Sequence, residues 1–202
     1  MRIIAGVHRG RKILSPSDAS TTRPIPDRVK QSLFDRLWSM GLLADDPFEA
    51  FEQKEGVALD LFCGTGSMGI EALSRGVGRC IFIDQDRDAI SQLNENLKTL
   101  ALTSRSQVLL TSALSPSWLN MLGRDPLRIA FIDPPYALLD DTSQREQLTA
   151  VLGDLRPHLD PGGLAMVRTS KECPPLLLPG WEQTGRHPYG STVLNFYAPQ
   201  PA

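Results

Sequence analysis

The chain has 202 residues, 41% hydrophobic and 22% charged, which excludes a disordered polymer. Twenty-one Lys and Arg against 23 Asp and Glu leave a formal net charge of −2, which excludes a uniformly basic nucleic-acid wrapper. The total hides a split: residues 1–40 carry eight basic and three acidic side chains, a surplus of +5, and the rest of the chain carries −7. A basic head on an acidic body fits an anionic partner docking at one end, and equally a plain solvated basic surface.

In chain order, residues 1–26 come first as a short Arg-rich zone. Arg2 to Val7 and Lys12 to Ser15 flank His8-Arg9-Gly10-Arg11, which reads as a hairpin turn. Thr22-Arg23-Pro24-Ile25-Pro26 reads as stiff and extended, because proline restricts itself and its predecessor. A helix follows, N-capped by Asp27, with Val29, Leu33, Leu37 and Met40 on one face, Phe34 and Trp38 widening it, and Gly41 as the stop. Residues 42–56 read as an acidic surface connection.

From Val57 on, strands and helices alternate. Strands are expected at Val57–Phe62, Cys80–Ile83, Gln107–Leu110, Arg128–Ile132 and Gly163–Arg168. Helices are expected at Ser67–Arg75, Arg87–Leu100, Ser115–Leu122 and Gln144–Leu155. Continuous apolar strands between helices imply a parallel sheet covered on both faces. Trp181–His187 and Thr192–Tyr197, joined through Pro188-Tyr189-Gly190, have no helix between them and read as a closing antiparallel hairpin. Cys63, Cys80 and Cys173 are too few and too scattered for a disulfide framework or a zinc site. The start of the chain lacks the apolar core of a signal peptide, and no apolar run approaches the ~20 residues of a membrane helix. The expectation is a cytoplasmic protein with no membrane span.

The first chemical motif follows the first strand. Asp60-Leu61-Phe62-Cys63-Gly64-Thr65-Gly66-Ser67-Met68-Gly69 holds Gly-x-Gly-x-x-Gly between a strand and a helix, the context a nucleotide loop requires. Asp60 at its mouth would repel a diphosphate but suits a ligand with an ammonium and no phosphate. S-adenosylmethionine has that chemistry. Asp84, at the end of the second strand, suits the two hydroxyls of a ribose. The bland alternatives are a loop or helix-capping acid for Asp60 and a strand-end acid for Asp84.

The second motif, Asp133-Pro134-Pro135-Tyr136, ends the fourth strand at the ligand edge of the sheet. Its prolines fix the backbone and remove two donors, leaving the Asp133 carboxylate and the Pro134 carbonyl as acceptors for an exocyclic amine. Tyr136 offers a flat face for a base. A proline strand-stop with a partly buried tyrosine is the alternative.

Asp60-x-Phe62-x-Gly64-x-Gly66 with Asp133-Pro134-Pro135-Tyr136 resembles the amino-group methyltransferases of the seven-stranded, Rossmann-like class I fold, which end in an antiparallel hairpin. Met1-Arg2-Ile3-Ile4-Ala5-Gly6, Arg9-Gly10-Arg11-Lys12, Thr22-Arg23-Pro24, Asp27-Arg28-Val29, Glu71-Ala72-Leu73-Ser74-Arg75-Gly76 and Tyr189-Gly190 resemble the bacterial RsmD family, which methylates guanine N2 in 16S ribosomal RNA. The resemblance implies an α/β methyltransferase domain over residues 41–202, and a small hairpin-and-helix extension over residues 1–40 that docks RNA. It implies S-adenosylmethionine held by Thr22, Arg23, Asp60, Phe62, Gly64, Gly66, Asp84, Ser112 and Asp133. It implies amine chemistry at Asp133, Pro134 and Tyr136, and phosphate contacts from Arg9, Arg11 and Lys12. It also implies that the hairpin and the Thr22–Arg28 segment lie beside the cofactor. The partner would be 16S rRNA or a small-subunit assembly particle, with no metal; His8, His158 and His187 read as surface or turn residues. Ser112 stands where the family has an acid that reaches the adenine amino group, so adenine recognition is expected to be weaker. A DNA adenine-N6 or cytosine-N4 methyltransferase and a non-catalytic RNA-assembly module are the alternatives, and a nicotinamide dehydrogenase fits Asp60 least.

Overall fold

The computed structural model describes residues 1–15, 25–53 and 55–200. Five parallel strands form the body: β1 (Val57–Leu61), β2 (Arg79–Asp84), β3 (Ser106–Leu110), β4 (Leu127–Ile132) and β5 (Leu159–Ser170). β6 (Trp181–Tyr189) and β7 (Thr192–Pro199) close the sheet in the order β3-β2-β1-β4-β5-β7-β6, with β7 antiparallel to both neighbours. This is the expected seven-stranded, Rossmann-like sheet with an antiparallel hairpin at one edge. Strand order reverses between β1 and β4, so the loops after these two strands open side by side.

Alternation along the buried strands builds two cores. Ala58, Phe82, Ile129, Phe131 and Met166 face one side, under α1 (Asp27–Ser39), α3 (Ser67–Ser74) and α4 (Arg87–Thr99). Leu59, Leu61, Ile83, Ala130 and Val167 face the other, under α5 (Tyr136–Asp140), α6 (Thr142–Leu155) and a 3-10 turn at Pro116–Met121. Ile3, Ile13, Val29, Leu33, Phe34 and Leu37 belong to the first core, so the basic zone is packed onto the body.

Several local expectations need correction. The N-cap of α1 is Pro26 rather than Asp27, because proline already fixes the entry backbone; Asp27 instead pairs with Arg2. Trp38 and Met40 are exposed, since the helix leaves the core after Leu37, and the Trp38 indole donates to Asp45. The connection after Gly41 contains the short helix α2 (Pro47–Gln53). Phe62 lies outside β1, with a φ of 61°. The expected helix over Ser115–Leu122 is a 3-10 turn, and the short α5 was not expected.

The N-terminal hairpin is reduced to one bridge, Arg2 with Lys12, around the turn closed by Arg11 N–H on the His8 carbonyl. Ile3 N–H also donates to the Arg11 carbonyl and Ile13 N–H to the Met1 carbonyl, and side chains of the body hold the hairpin in place. Glu71 on α3 accepts from the backbone N–H of Ile4 and Ala5 and pairs with Lys30 and Arg75. Asn96 on α4 accepts from Leu14 N–H and donates to the Leu14 and Thr65 carbonyls. Gly6 crosses α3 so closely that a Cβ there would lie 1.7 Å from the Ser74 carbonyl oxygen.

Candidate active site

The loop Phe62–Gly66 leaves β1 in an unusual conformation. Phe62, Gly64 and Gly66 all have positive φ, and for a bulky side chain such as Phe62 that is a strained state of the kind found at binding sites. The three motif glycines answer different needs. Gly64 faces open space, Gly66 would push a Cβ to 2.4 Å from Leu93, and Gly69 would drive one to 2.3 Å from Phe82. Gly64 therefore leaves room for a ligand, while Gly66 and Gly69 let α3 lie close to α4 and β2.

Asp84 ties this loop to the end of β2: one oxygen accepts from Gly64 N–H at 2.7 Å and the other from Asp86 N–H at 3.0 Å. Both bonds fix the carboxylate at the rim of a cleft of about 530 Å³. That volume is of small-ligand size. Phe62, Gly64, Asp84, Ser112 and Asp133 line the cleft, so five of the expected cofactor residues meet there. Ser112 points its hydroxyl oxygen at Leu114 N–H, 3.3 Å away.

Asp60 does not line the cleft. It is buried behind the loop, and its carboxylate accepts from Gly69 N–H at 2.8 Å, one of the unpaired donors in the first turn of α3. Burial pushes its carboxyl well above the usual range; the Gly69 bond opposes this, and Asp133 and Asp84 add to it. Gly66 lies under the loop rather than on the cleft wall, and Thr22 and Arg23 lie outside the described residues.

Asp133 sits at the end of β4, its backbone N–H on the Leu61 carbonyl, which locks the two motif loops together. Its side chain is 16% exposed. Burial raises its carboxyl, and the charge and hydrogen bond of Arg168 pull it back. Arg168 Nε donates to Asp133 Oδ1, and among the described residues nothing donates to Oδ2. Pro134 is buried and Pro135 lines the cleft. The Tyr136 hydroxyl shares a 2.7 Å hydrogen bond with Thr192, and the Arg168 guanidinium lies 5.9 Å from its ring centre.

Sequence pattern alone does not single out Arg168, Thr192 or Gln92. Arg168 had a signal: it is a charge closing the apolar run Leu164–Val167 at the ligand edge of the sheet. Gln92 stands on the cleft wall with its Oε1 buried and unpartnered among the described residues. Cys63, Cys80 and Cys173 are buried free thiols, raised by burial. Among the described residues, no group of three or more His, Cys, Asp or Glu could hold a metal ion.

Arg9, Arg11 and Lys12 are exposed. The turn that carries them bonds to Ser74 at the end of α3, and Arg11 reaches the Thr99 carbonyl at the end of α4. Both helices begin at the cleft and run away from it, so the tip is displaced from the cleft by about 12–20 Å of helix. The hairpin tip is therefore not beside the cleft, contrary to what the family resemblance implies. Among the described residues, Lys30, 3.3 Å from the Ser67 hydroxyl, and Leu14, linked through Asn96 to Thr65, bring the basic zone to the glycine loop.

A family model described as Conserved hypothetical protein 95 matches residues 1–198. The chain is 34% identical over 198 residues to a Bacillus subtilis protein named "Putative rRNA methyltransferase YlbH", covering 98% of each. It is 34% identical to "Ribosomal RNA small subunit methyltransferase D" of Haemophilus influenzae, over 90% of this chain and 84% of that one. Its fold is similar to the solved structure "Putative methyltransferase yhhF from Escherichia coli", with a TM-score of 0.76, 28% identity, and coverage of 100% of this chain and 99% of that chain.

Proposed function

The chain belongs to the RsmD family, described as Conserved hypothetical protein 95, and from that premise we propose that it methylates a guanine N2 amino group in 16S ribosomal RNA, using S-adenosylmethionine. The observation that carries this reading is that one cleft holds both Asp84, whose oxygens each take one backbone N–H from Gly64 and Asp86, and Asp133, whose Oδ2 takes no donor among the described residues.

The donor set fits the cofactor. Gly64 leaves open space at the loop, and among the described residues the Gln92 Oε1 is unpartnered and can take a donor hydrogen, while no basic side chain lines the cleft to hold a phosphate. Asp84 would hold the ribose, Phe62 and Ser112 would border the adenosine, and Asp60 would contribute from behind the loop by fixing Gly69 N–H in the first turn of α3. Thr22, Arg23 and Gly66 complete the proposed set. When bound, the cofactor supplies an electrophilic methyl group on a sulfonium.

The chain's own task is to present the amine. A guanine amino nitrogen shares its lone pair with the ring, so it is a poor nucleophile. Asp133 Oδ2 and the Pro134 carbonyl would accept its two N–H bonds, turn the lone pair toward the methyl group and stabilise positive charge growing on nitrogen. Tyr136, held by Thr192, would flank the base. The departing proton passes to Asp133 or to water. A base in paired or stacked RNA must be extruded to reach the cleft. Arg9, Arg11 and Lys12 would contact phosphates at a distance from the target base, with residues 1–40 as the docking part and 41–202 as the methyltransferase domain.

The substrate would be 16S rRNA or a partly assembled small subunit, which makes the cytoplasm the working compartment. No described helix is long and apolar enough to cross a membrane. Transfer of tritium from labelled cofactor to small-subunit particles, naked 16S rRNA and duplex DNA tests the reading. Label is expected in the ribosomal substrates; label in DNA alone would replace the reading with a DNA amino-methyltransferase.

A further inference from the structure

We infer that Arg168 is a positioning residue for the transfer: it occupies one oxygen of Asp133 and stands near Tyr136, so that the other oxygen of Asp133 is presented to the target amine. This rests on the function proposed above and adds a residue to its machinery.

The placement follows from register. Ile132 of β4 pairs with Val167 of β5, so the next residue on each strand, Asp133 and Arg168, stands side by side at the cleft edge. Ile132 and Val167 both face the α6 side, so by alternation both polar side chains turn to the α3 side and meet. Arg168 Nε donates to Oδ1, nothing donates to Oδ2 among the described residues, and the same guanidinium stands 5.9 Å from the centre of the Tyr136 ring. One cation thus bonds to the acid of the Asp-Pro-Pro-Tyr turn and stands near its tyrosine. The Arg168 side chain is only 5% exposed. A pair so deeply placed gains little stability over apolar residues of the same size, because desolvation cancels much of the attraction.

The electrostatics explain what the pair does. Asp133 faces Asp60 of β1 and Arg168 of β5, with the Tyr136 ring of α5 near Arg168 and Asp84 of β2 acting on Asp60 in turn. Among the described residues, Arg168 is the one cation of this group. Without it, a carboxyl already raised by burial would take up a proton. A protonated carboxyl offers the amine an O–H in place of an acceptor, and the lone pair is no longer steered.

The test uses the full chain, single-turnover methyl transfer to 16S rRNA or small-subunit particles from pH 5 to 9, and calorimetric titration with S-adenosylmethionine. Asp133 must be ionised, so the rate falls as pH drops through its pKa. For Arg168→Met this acid limb should move up by about 1–3 pH units, the size of an adjacent arginine's effect on an aspartate. Its rate should fall most at the acid end of this range and recover toward that of the parent in alkali. Cofactor affinity should stay within about twofold, because Arg168 does not line the cleft. Arg168→Lys keeps the charge and should hold the acid limb near that of the parent. An acid limb unmoved in Arg168→Met, or displaced equally in Arg168→Lys, overturns the proposal. If Arg168→Met fails to bind cofactor, Arg168→Gln is read in the same way, and if neither folds, a displaced acid limb in Arg168→Lys is the overturning result. If the parent transfers no methyl group to any RNA, the proposed function fails instead. Carbon-13 titration of the Asp133 carboxyl in parent and variant then still reads the displacement, and coincident curves overturn the role of Arg168.

Discussion

Glu71 and Asp133 are both carboxylates held by an arginine inside the same domain, and their surroundings give them opposite characters. Glu71 lies under the N-terminal arm with both oxygens saturated: Ile4 N–H and Lys30 on one, Ala5 N–H and Arg75 on the other. Nothing is left for a ligand, and its side chain has no exposed surface. Asp133 lies at the cleft with one oxygen loaded by Arg168 and, among the described residues, no donor on the other. The first arrangement joins three segments distant in sequence and fixes where the basic arm sits. The second keeps an acceptor in reserve. Saturation separates an acid that holds a fold together from one that can serve a reaction.

Exchanging a carboxylate for its amide at each site is the sharpest way to break this contrast. Asp133→Asn should lower the methyl-transfer rate by about a hundredfold to a thousandfold, the usual cost of removing one preorganised polar group from a transition state. Its cofactor affinity, measured by calorimetry, should stay close to that of the parent. Turnover within a few-fold of the parent would remove Asp133 from the mechanism. Glu71→Gln should act in the other currency. It leaves Lys30 and Arg75 buried without a counter-charge, so urea unfolding should show a loss of about 3–5 kcal/mol. Turnover per folded molecule should be nearly unchanged. A Glu71→Gln protein as stable as the parent would mean that the arm is held by its apolar packing alone.

Asp84 tests the boundary between the two classes, because each of its oxygens already takes one backbone N–H, from Gly64 and from Asp86, and yet it lines the cleft with acceptor capacity to spare. Asp84→Asn should weaken cofactor binding by about 10–100-fold, as expected for one missing hydrogen bond to a charged group. The smallest effect is expected at the arm tip. Replacing Arg9, Arg11 and Lys12 with alanine should leave cofactor binding untouched. RNA affinity should fall, with the slope of log affinity against log salt flattening by about 0.7–0.9 for each phosphate no longer neutralised. Full affinity and an unchanged slope would return these side chains to an ordinary solvated surface.

Much of this was legible before the structure. The inner parallel strands β1, β2 and β4 stand out because they are buried on both faces and read as apolar runs between helices, whereas β3, at the sheet edge, is only half-buried. The glycine loop and the Asp-Pro-Pro-Tyr turn were legible because strand ends and backbone-fixing residues carry local signals. What escaped was non-local. Asp60 was read as facing the ligand, whereas its depth places it behind the loop as the partner of Gly69. Trp38 and Met40 continued the helical spacing, but the body ends where α1 overhangs it. Arg168 was taken as the end of a strand, because only the pairing of β4 with β5 brings it beside Asp133. The place of the arm tip likewise depends on Ser74 and Thr99, far along the chain.

The central claim is that this cleft delivers a methyl group to a guanine amine in small-subunit rRNA with Asp133 as its acceptor. Mass-spectrometric mapping of 16S rRNA nucleosides from a deletion strain, complemented with the parent gene or with Asp133→Asn, tests it most directly. The account predicts one N2-methylguanosine that disappears on deletion, returns with the parent and stays absent with the variant. An unchanged set of methylated guanines on deletion, or full restoration by Asp133→Asn, would contradict it.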